Sequence, residues 1–235
     1  MKVLASWFFR LQIYIYLTPN FDMSLPLLLL IISNVFVSNK GFSDLQFFDR
    51  YKFSVSQLQK NEYFRLLTSG FLYVNTLHLI FNMFALYMFG DVVIQFTGVY
   101  LFLLIYIASL LAGNYFTYFN HKNEPNYTAV GASGAVSGIV YSSILIFPQM
   151  KLALLFLPIP IPGYIFGILY LFYTLFGMKS RRDNIGHTSH FGGAVAGFVF
   201  TLFIYPTLIN TQMNLILLMM APLLLYLLMK RRGYL

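Results

Sequence analysis

Seven apolar runs, at residues 24–38, 76–96, 99–119, 129–147, 152–176, 187–206 and 214–229, recur along this chain with polar or charged punctuation between them. A helix needs about 20 residues to cross the hydrocarbon core of a bilayer, so several of these runs suffice outright, while the first and last are short. In lipid every backbone polar group must be satisfied internally, which leaves such a chain little choice but helices. Six spans and a seventh, C-terminal one are expected, giving an all-α polytopic membrane protein. Composition agrees: 59% of residues are hydrophobic and 9% charged, whereas about a quarter are charged in a soluble domain.

The net charge of +8 does not imply a nucleic-acid partner, because the 15 lysines and arginines sit in short interhelical loops and at the chain ends. Lipid headgroups meet them there, so membrane lipids are the expected partner and no nucleic acid is. With no cysteine, disulfides, Cys-ligated zinc and a thiol nucleophile are excluded. Chemistry has to come from Ser, His, Asn and a few acids. The stretch from Met1 to Pro19 is broken by Arg10 and lacks a small-residue cleavage site before the next segment, so no cleavable signal is expected there. Trp7, Phe8, Phe9, Tyr14 and Tyr16 suit an interfacial segment instead. The interruption at 39–75 is charged yet contains Phe42, Leu45, Phe47, Phe48, Tyr51 and Phe53. It is expected to fold onto the membrane face. The chain thus reads as an interfacial segment (1–23), a membrane core (24–206) and a hydrophobic segment with a basic tail (207–235), with no internal repeat.

In a serpentine chain the second, fourth and sixth spans enter the membrane from the same side. His78 and Asn82 fall in the first two turns of the second, Ser133 about a turn into the fourth and His190 about a turn into the sixth. At 1.5 Å per residue all four lie in one layer roughly 5–10 Å below the boundary. An ionisable group in hydrocarbon is costly, which makes such a layer a functional-site hypothesis. Each member also has a structural reading. Ser133 with Ser137, and Gly134 with Gly138, are small-xxx-small patterns that let helices pack closely, and His78 and Asn82 at i and i+4 could cross-link helices. Gly193 and Gly197 repeat the small-residue spacing in the sixth span, so spans four and six should meet and bring Ser133 against His190. His121 and His187 sit at the boundary and read as loop or interfacial residues. Zinc is not expected, since His187 and His190 are only three apart with no Glu near either.

The run Tyr63-Phe64-Arg65-Leu66-Leu67-Thr68-Ser69 ahead of His78-Leu79-Ile80-Phe81-Asn82, then Gly131-Ala132-Ser133-Gly134, then His190-Phe191-Gly192-Gly193-Ala194-Val195-Ala196-Gly197, resembles the rhomboid family of intramembrane serine proteases. The resemblance covers residues 24–206 and implies a rhomboid-like six-helix catalytic core. It implies Ser133 as nucleophile and His190 as general base, with Asn82, His78 and the Ser133 backbone N–H stabilising the oxyanion. Gly131 would keep the approach to Ser133 open, and Gly134, Gly193 and Gly197 would serve helix packing around the site. No cofactor or metal is implied. Asp183 and Glu124 lie in loops and Asp91 on the opposite face, so the pair is expected to act as a dyad.

Three positions depart from the pattern of relatives. Phe64 stands where many have Trp, and Tyr73 where some have another His. Ser137 replaces an aromatic that in some relatives stacks on the catalytic imidazole, so His190 must be held by something else. Single-pass transmembrane proteins, unwound locally and cut near one face, are the substrates the resemblance implies. The implied location is the plasma membrane of a bacterium, with the site opening to the extracytoplasmic side. The positive-inside count opposes that orientation, with Lys40, Arg50, Lys52, Lys60, Arg65, Lys122, Lys179, Arg181 and Arg182 on the site face. A non-proteolytic, client-binding rhomboid-like protein is the alternative. A transporter is disfavoured because the polar layer is confined to one face.

Overall fold

The computed structural model describes residues 23–154, 157–180 and 185–234, so the interfacial segment expected at 1–23 lies outside the described residues except for Met23. Helix α1 (Leu25–Ser43) leads into a layer of short elements: α2 (Leu45–Tyr51), β1 (Phe53–Ser54), α3 (Val55–Leu58) and α4 (Arg65–Thr68). Then come α5 (Thr76–Thr97), α6 (Val99–His121), β2 (Thr128–Ala129), α7 (Ser133–Ile146), the hairpin β3 (Lys151–Leu154) and β4 (Leu157–Pro162), α8 (Gly163–Ser180), α9 (His187–Ile204), α10 (Thr207–Thr211) and α11 (Met213–Arg231).

Helices α1, α5, α6, α9 and α11 are long and apolar enough to cross a membrane. With the shorter α7 and the tyrosine-rich α8 they build the all-α polytopic bundle expected from the hydropathy pattern. Its surface is inverted relative to a soluble protein. Leu25, Leu29, Ile32 and Phe36 of α1 and Leu217, Leu224 and Leu228 of α11 point outward, while Asn34, Ser109, Asn114, Thr117 and Thr201 are buried. Hydrocarbon is the solvent that suits such an arrangement.

Helix α9 sits centrally, against α6, α7 and α8; α5 covers α7, α1 covers α5, and α11 covers α8. Between α7 and α9 the contact is backbone to backbone. Gly134 faces Gly193, Gly138 faces Gly197, and Ser142 accepts a 2.7 Å hydrogen bond from Thr201, each pair being 59 positions apart. A constant offset means that the two helices run parallel and in register over about two turns. A methyl group on Gly193 or Gly197 would run into the carbonyl of Gly134 or Gly138. Dispersion and close approach of this kind drive association where lipid removes the hydrophobic term.

Three spans differ from the sequence expectation. The first continues to Ser43, a turn into the interruption. The fourth, expected over 129–147, begins only at Ser133, because Ala129 is paired to Phe53 in a short antiparallel ladder and Gly131 takes φ +123, which a helix cannot include. Ser133 therefore opens α7 and does not lie a turn inside it. The fifth, expected over 152–176, begins at Gly163: Lys151–Leu154 and Leu157–Pro162 pair ahead of it as the antiparallel strands β3 and β4. Pro158, Pro160 and Pro162 supply the reason, since each lacks the N–H a helix would need.

The 39–75 region is folded. Phe53, Val55 and Leu58 form a small core with Leu66, Tyr118, Tyr127 and Ala129. Buried Arg65 ties its strands of chain together, donating to Glu62 Oε2 at 2.7 Å and to the carbonyls of Asp49 and Lys52 at 2.8 and 2.9 Å. The long C-terminal helix α11 is continuous through buried Pro222, and its Tyr226 packs on Phe116 and Phe191.

Candidate active site

Gly131 delivers the chain to α7. Its N–H donates to the carbonyl of Ser69 at 2.9 Å, and its positive φ lets the backbone pass close to His78: a Cβ there would lie 2.8 Å from His78 Cε1 and 3.8 Å from Ser133 Oγ. His78, Gly131 and Ser133 are thus one cluster. Because Ser133 is the first residue of α7, its backbone N–H has no intrahelical acceptor and lies at the positive end of the helix dipole. The helix is 14 residues, about 21 Å, against a hydrocarbon core of roughly 30 Å, so it can start below the membrane surface.

Helix α5 positions the other two polar groups. The Asn75 side chain caps it by accepting from the His78 N–H at 2.8 Å, which fixes His78 in the first turn. Asn82, one turn deeper and buried, gives one amide proton to the His78 carbonyl at 2.9 Å. A primary amide has two such protons, so a second donor remains. The His78 ring meets Tyr73 edge-on at 5.0 Å, and its buried Nδ1 has no hydrogen-bond partner among the described residues. Tyr73 is in turn fixed by its hydroxyl, which donates to Asn34 Oδ1 at 3.0 Å.

His190 is the fourth residue of α9. The 59-position offset between α7 and α9 puts it level with Gly131, beside the start of α7. Tyr170 of α8 contacts it, with the hydroxyl 3.0 Å from His190 Nδ1, the ring planes 21° apart and the centroids 6.0 Å apart. The same hydroxyl lies 3.0 Å from Ser137 Oγ. Asn114 of α6 links the remaining parts, donating to the Leu66 carbonyl at 2.7 Å and to Ser69 Oγ at 3.1 Å, while Ser189 donates to its Oδ1 at 3.3 Å. Ser69 carries Gly131, and Ser189 adjoins His190.

The structure therefore gathers His78, Asn82, Gly131, Ser133, Gly134, His190 and Gly193 at one end of the bundle, with Gly197 a turn deeper. His121 and His187 stand at the boundary, as the last residue of α6 and the first of α9, and both are packed inside the protein. His121 is buried, stacks on Tyr127 and pairs with Glu124 at 3.1 Å; His187 is buried against Gly177 and Tyr173. Tyr170 and Asn114 went unnoticed in the sequence. One is among 18 tyrosines and the other is one of two asparagines in an apolar helix, and neither falls in a motif.

This set, a hydroxyl at a helix start, an imidazole level with it and amide and ring N–H donors alongside, has the components of acyl transfer. Residues 60–207 match the family model described as the Rhomboid domain. The chain is 28% identical over 187 residues to the RHOMBOID-like protein 12, mitochondrial, of Arabidopsis thaliana. It is 30% identical over 143 residues to the putative rhomboid protease YdcA, and 29% over 143 to the rhomboid protease GluP, both of Bacillus subtilis. These matches take in 72%, 60% and 61% of this chain, but 55%, 66% and 26% of the three relatives. With the domain match covering more than half of its length, this integral membrane protein belongs to the rhomboid family.

Proposed function

We propose that this chain is an intramembrane serine endopeptidase in which Ser133 is the nucleophile and His190 the general base. The observation that supports it most is the glycine contact between α7 and α9, which holds the first turns of the two helices at one level, Ser133 on one and His190 on the other. The imidazole would take the Ser133 proton as Oγ attacks the scissile carbonyl, then return it to the leaving amine. The oxyanion would accept from the Ser133 N–H, the second Asn82 amide proton and His78. A preorganised donor of this kind contributes about 3–4 kcal/mol to lowering the barrier. Water is the second nucleophile, so the reading needs no metal or cofactor.

In this proposal residues 24–206 are the catalytic core, 39–75 lies on the membrane face and 207–235 adds a further span. Substrates are single-pass membrane proteins whose helix unwinds locally near that face. The site opens to the extracytoplasmic side of a bacterial plasma membrane. Charge favours the reverse orientation: Lys230 lies 4.6 Å over Phe119 near the end of α6, so α11 brings Lys230 and Arg231 to the already basic site face. Because the chain has no cysteine, Lys60→Cys is a clean probe. Labelling of intact cells by an impermeant maleimide is expected, and labelling only after permeabilisation would reverse the orientation.

The activity is tested with a tagged single-pass reporter and purified protein in lipid vesicles. Cleavage is expected, and both Ser133→Ala and His190→Ala should abolish it. Cleavage by Ser133→Ala would remove the nucleophile from the account. A reporter that binds but is never cut would favour the client-binding alternative.

A further inference from the structure

We infer that Tyr170 and Ser137 form a hydroxyl relay that fixes the tautomer of His190. The inference rests on the dyad reading for its functional meaning, but the relay itself is a matter of geometry. Ser137 Oγ, Tyr170 Oη and His190 Nδ1 follow one another at 3.0 Å and 3.0 Å, joining α7, α8 and α9 in one line of hydrogen bonds. Both distances are in the range of ordinary, well-formed bonds.

Neutral imidazole carries one proton, and the hydrogen bond at one nitrogen decides which nitrogen has it. A general base facing Ser133 through Nε2 needs the proton on Nδ1. A partner that accepts from Nδ1–H holds it there. Tyr170 can do so if its oxygen accepts from Nδ1–H, which requires its own proton to be given elsewhere. Ser137 supplies the acceptor. In the resulting chain His190 Nδ1–H donates to Tyr170 and Tyr170 O–H donates to Ser137. The phenol is the more acidic of the two hydroxyls, which suits it to donate across that pair. Run the other way, the relay would leave the proton on Nε2, and the imidazole could not accept one from Ser133.

Tyr170 and Ser137 are therefore positioning residues that act through His190. Their arrangement also accounts for the small side chain at position 137. Serine is too short to stack on the imidazole, and Tyr170 provides a nearly parallel ring from the neighbouring helix. Removal of Ser137 leaves the Tyr170 proton free to turn toward Nδ1, so a substitution at Ser137 should change the tautomer of His190 through Tyr170.

Nitrogen-15 NMR of the full-length, histidine-labelled protein tests this without relying on activity, with His190→Gln used to assign the signal. The unaltered chain is expected to carry the Nδ1–H form, and Ser137→Ala to move it toward Nε2–H. Tyr170→Phe, which keeps the ring, is expected to lose the preference. His190 in one unchanged tautomer in all three proteins would overturn the relay, as would an Nε2–H form in the unaltered chain. In the reporter assay Tyr170→Phe should lower kcat about tenfold with KM little changed, the effect of one ordinary hydrogen bond acting on the chemical step. Unaltered kcat in that variant, alongside an active parent, would overturn the functional role. An inactive parent would instead count against the dyad reading, with the tautomer measurement still deciding the relay.

Discussion

Against α7, helix α9 lies backbone to backbone through Gly134, Gly193, Gly138 and Gly197; against α8, its His190 meets a side-chain hydroxyl. The first contact has no rotamer to relax, so it sets where along the bundle Ser133 and His190 stand. The second acts on a single imidazole through two rotatable hydroxyls, so it can set orientation and protonation but not helix position. One wall determines whether the two groups meet, and the other determines in what state. Damage to the first should therefore appear as lost folding, and damage to the second as altered chemistry in a folded protein.

The largest effect should come from Gly193→Val, whose side chain would have to occupy the space of the Gly134 carbonyl. With no rotamer that avoids a backbone clash, we predict a loss above about 4 kcal/mol, the scale of severe overpacking plus a broken core contact. Thermal unfolding in detergent would show it, and a transition within a few degrees of the parent would contradict the rigid-wall description. Asn114→Ala should come next. It removes the amide that joins Leu66 and Ser69 to Ser189, at a cost of about 1–3 kcal/mol for the buried groups left without partners. Because Ser69 carries Gly131 and Ser189 adjoins His190, the variant should lose turnover as well as stability; a loss of stability alone would separate Asn114 from the site. Thr201→Val should be smallest. It deletes the hydroxyl that donates to Ser142 and to the Gly197 carbonyl, both at 2.7 Å, at the deep end of the same interface, for about 1 kcal/mol. Turnover should be untouched, and a marked loss would mean that the deep end is coupled to the dyad.

Much of this was legible before the fold was known, for a physical reason. In lipid, polar side chains are rare and small residues at i and i+4 have few uses besides close packing, so Ser133, His190 and the glycine pairs stood out. Hydropathy is blind to backbone conformation, however. The apolar run 152–176 read as one span, and only the three alternate prolines distinguish its hairpin from its helix. The start of α7 depended on the φ of Gly131 and on pairing between Phe53 and Ala129, a contact across 76 positions that no local pattern encodes. Tyr170 was hidden for the related reason that its meaning lies in the rotation of α8, and α8 is apolar on most of its circumference.

The central claim, that Ser133 is activated by His190, is most directly tested by exposing the protein to a fluorophosphonate in lipid and locating the adduct by mass spectrometry. A single phosphonylated residue, Ser133, is predicted, with labelling lost in His190→Ala and in no variant of the deep interface. An adduct at another residue, or equal labelling of Ser133 without His190, would contradict the account.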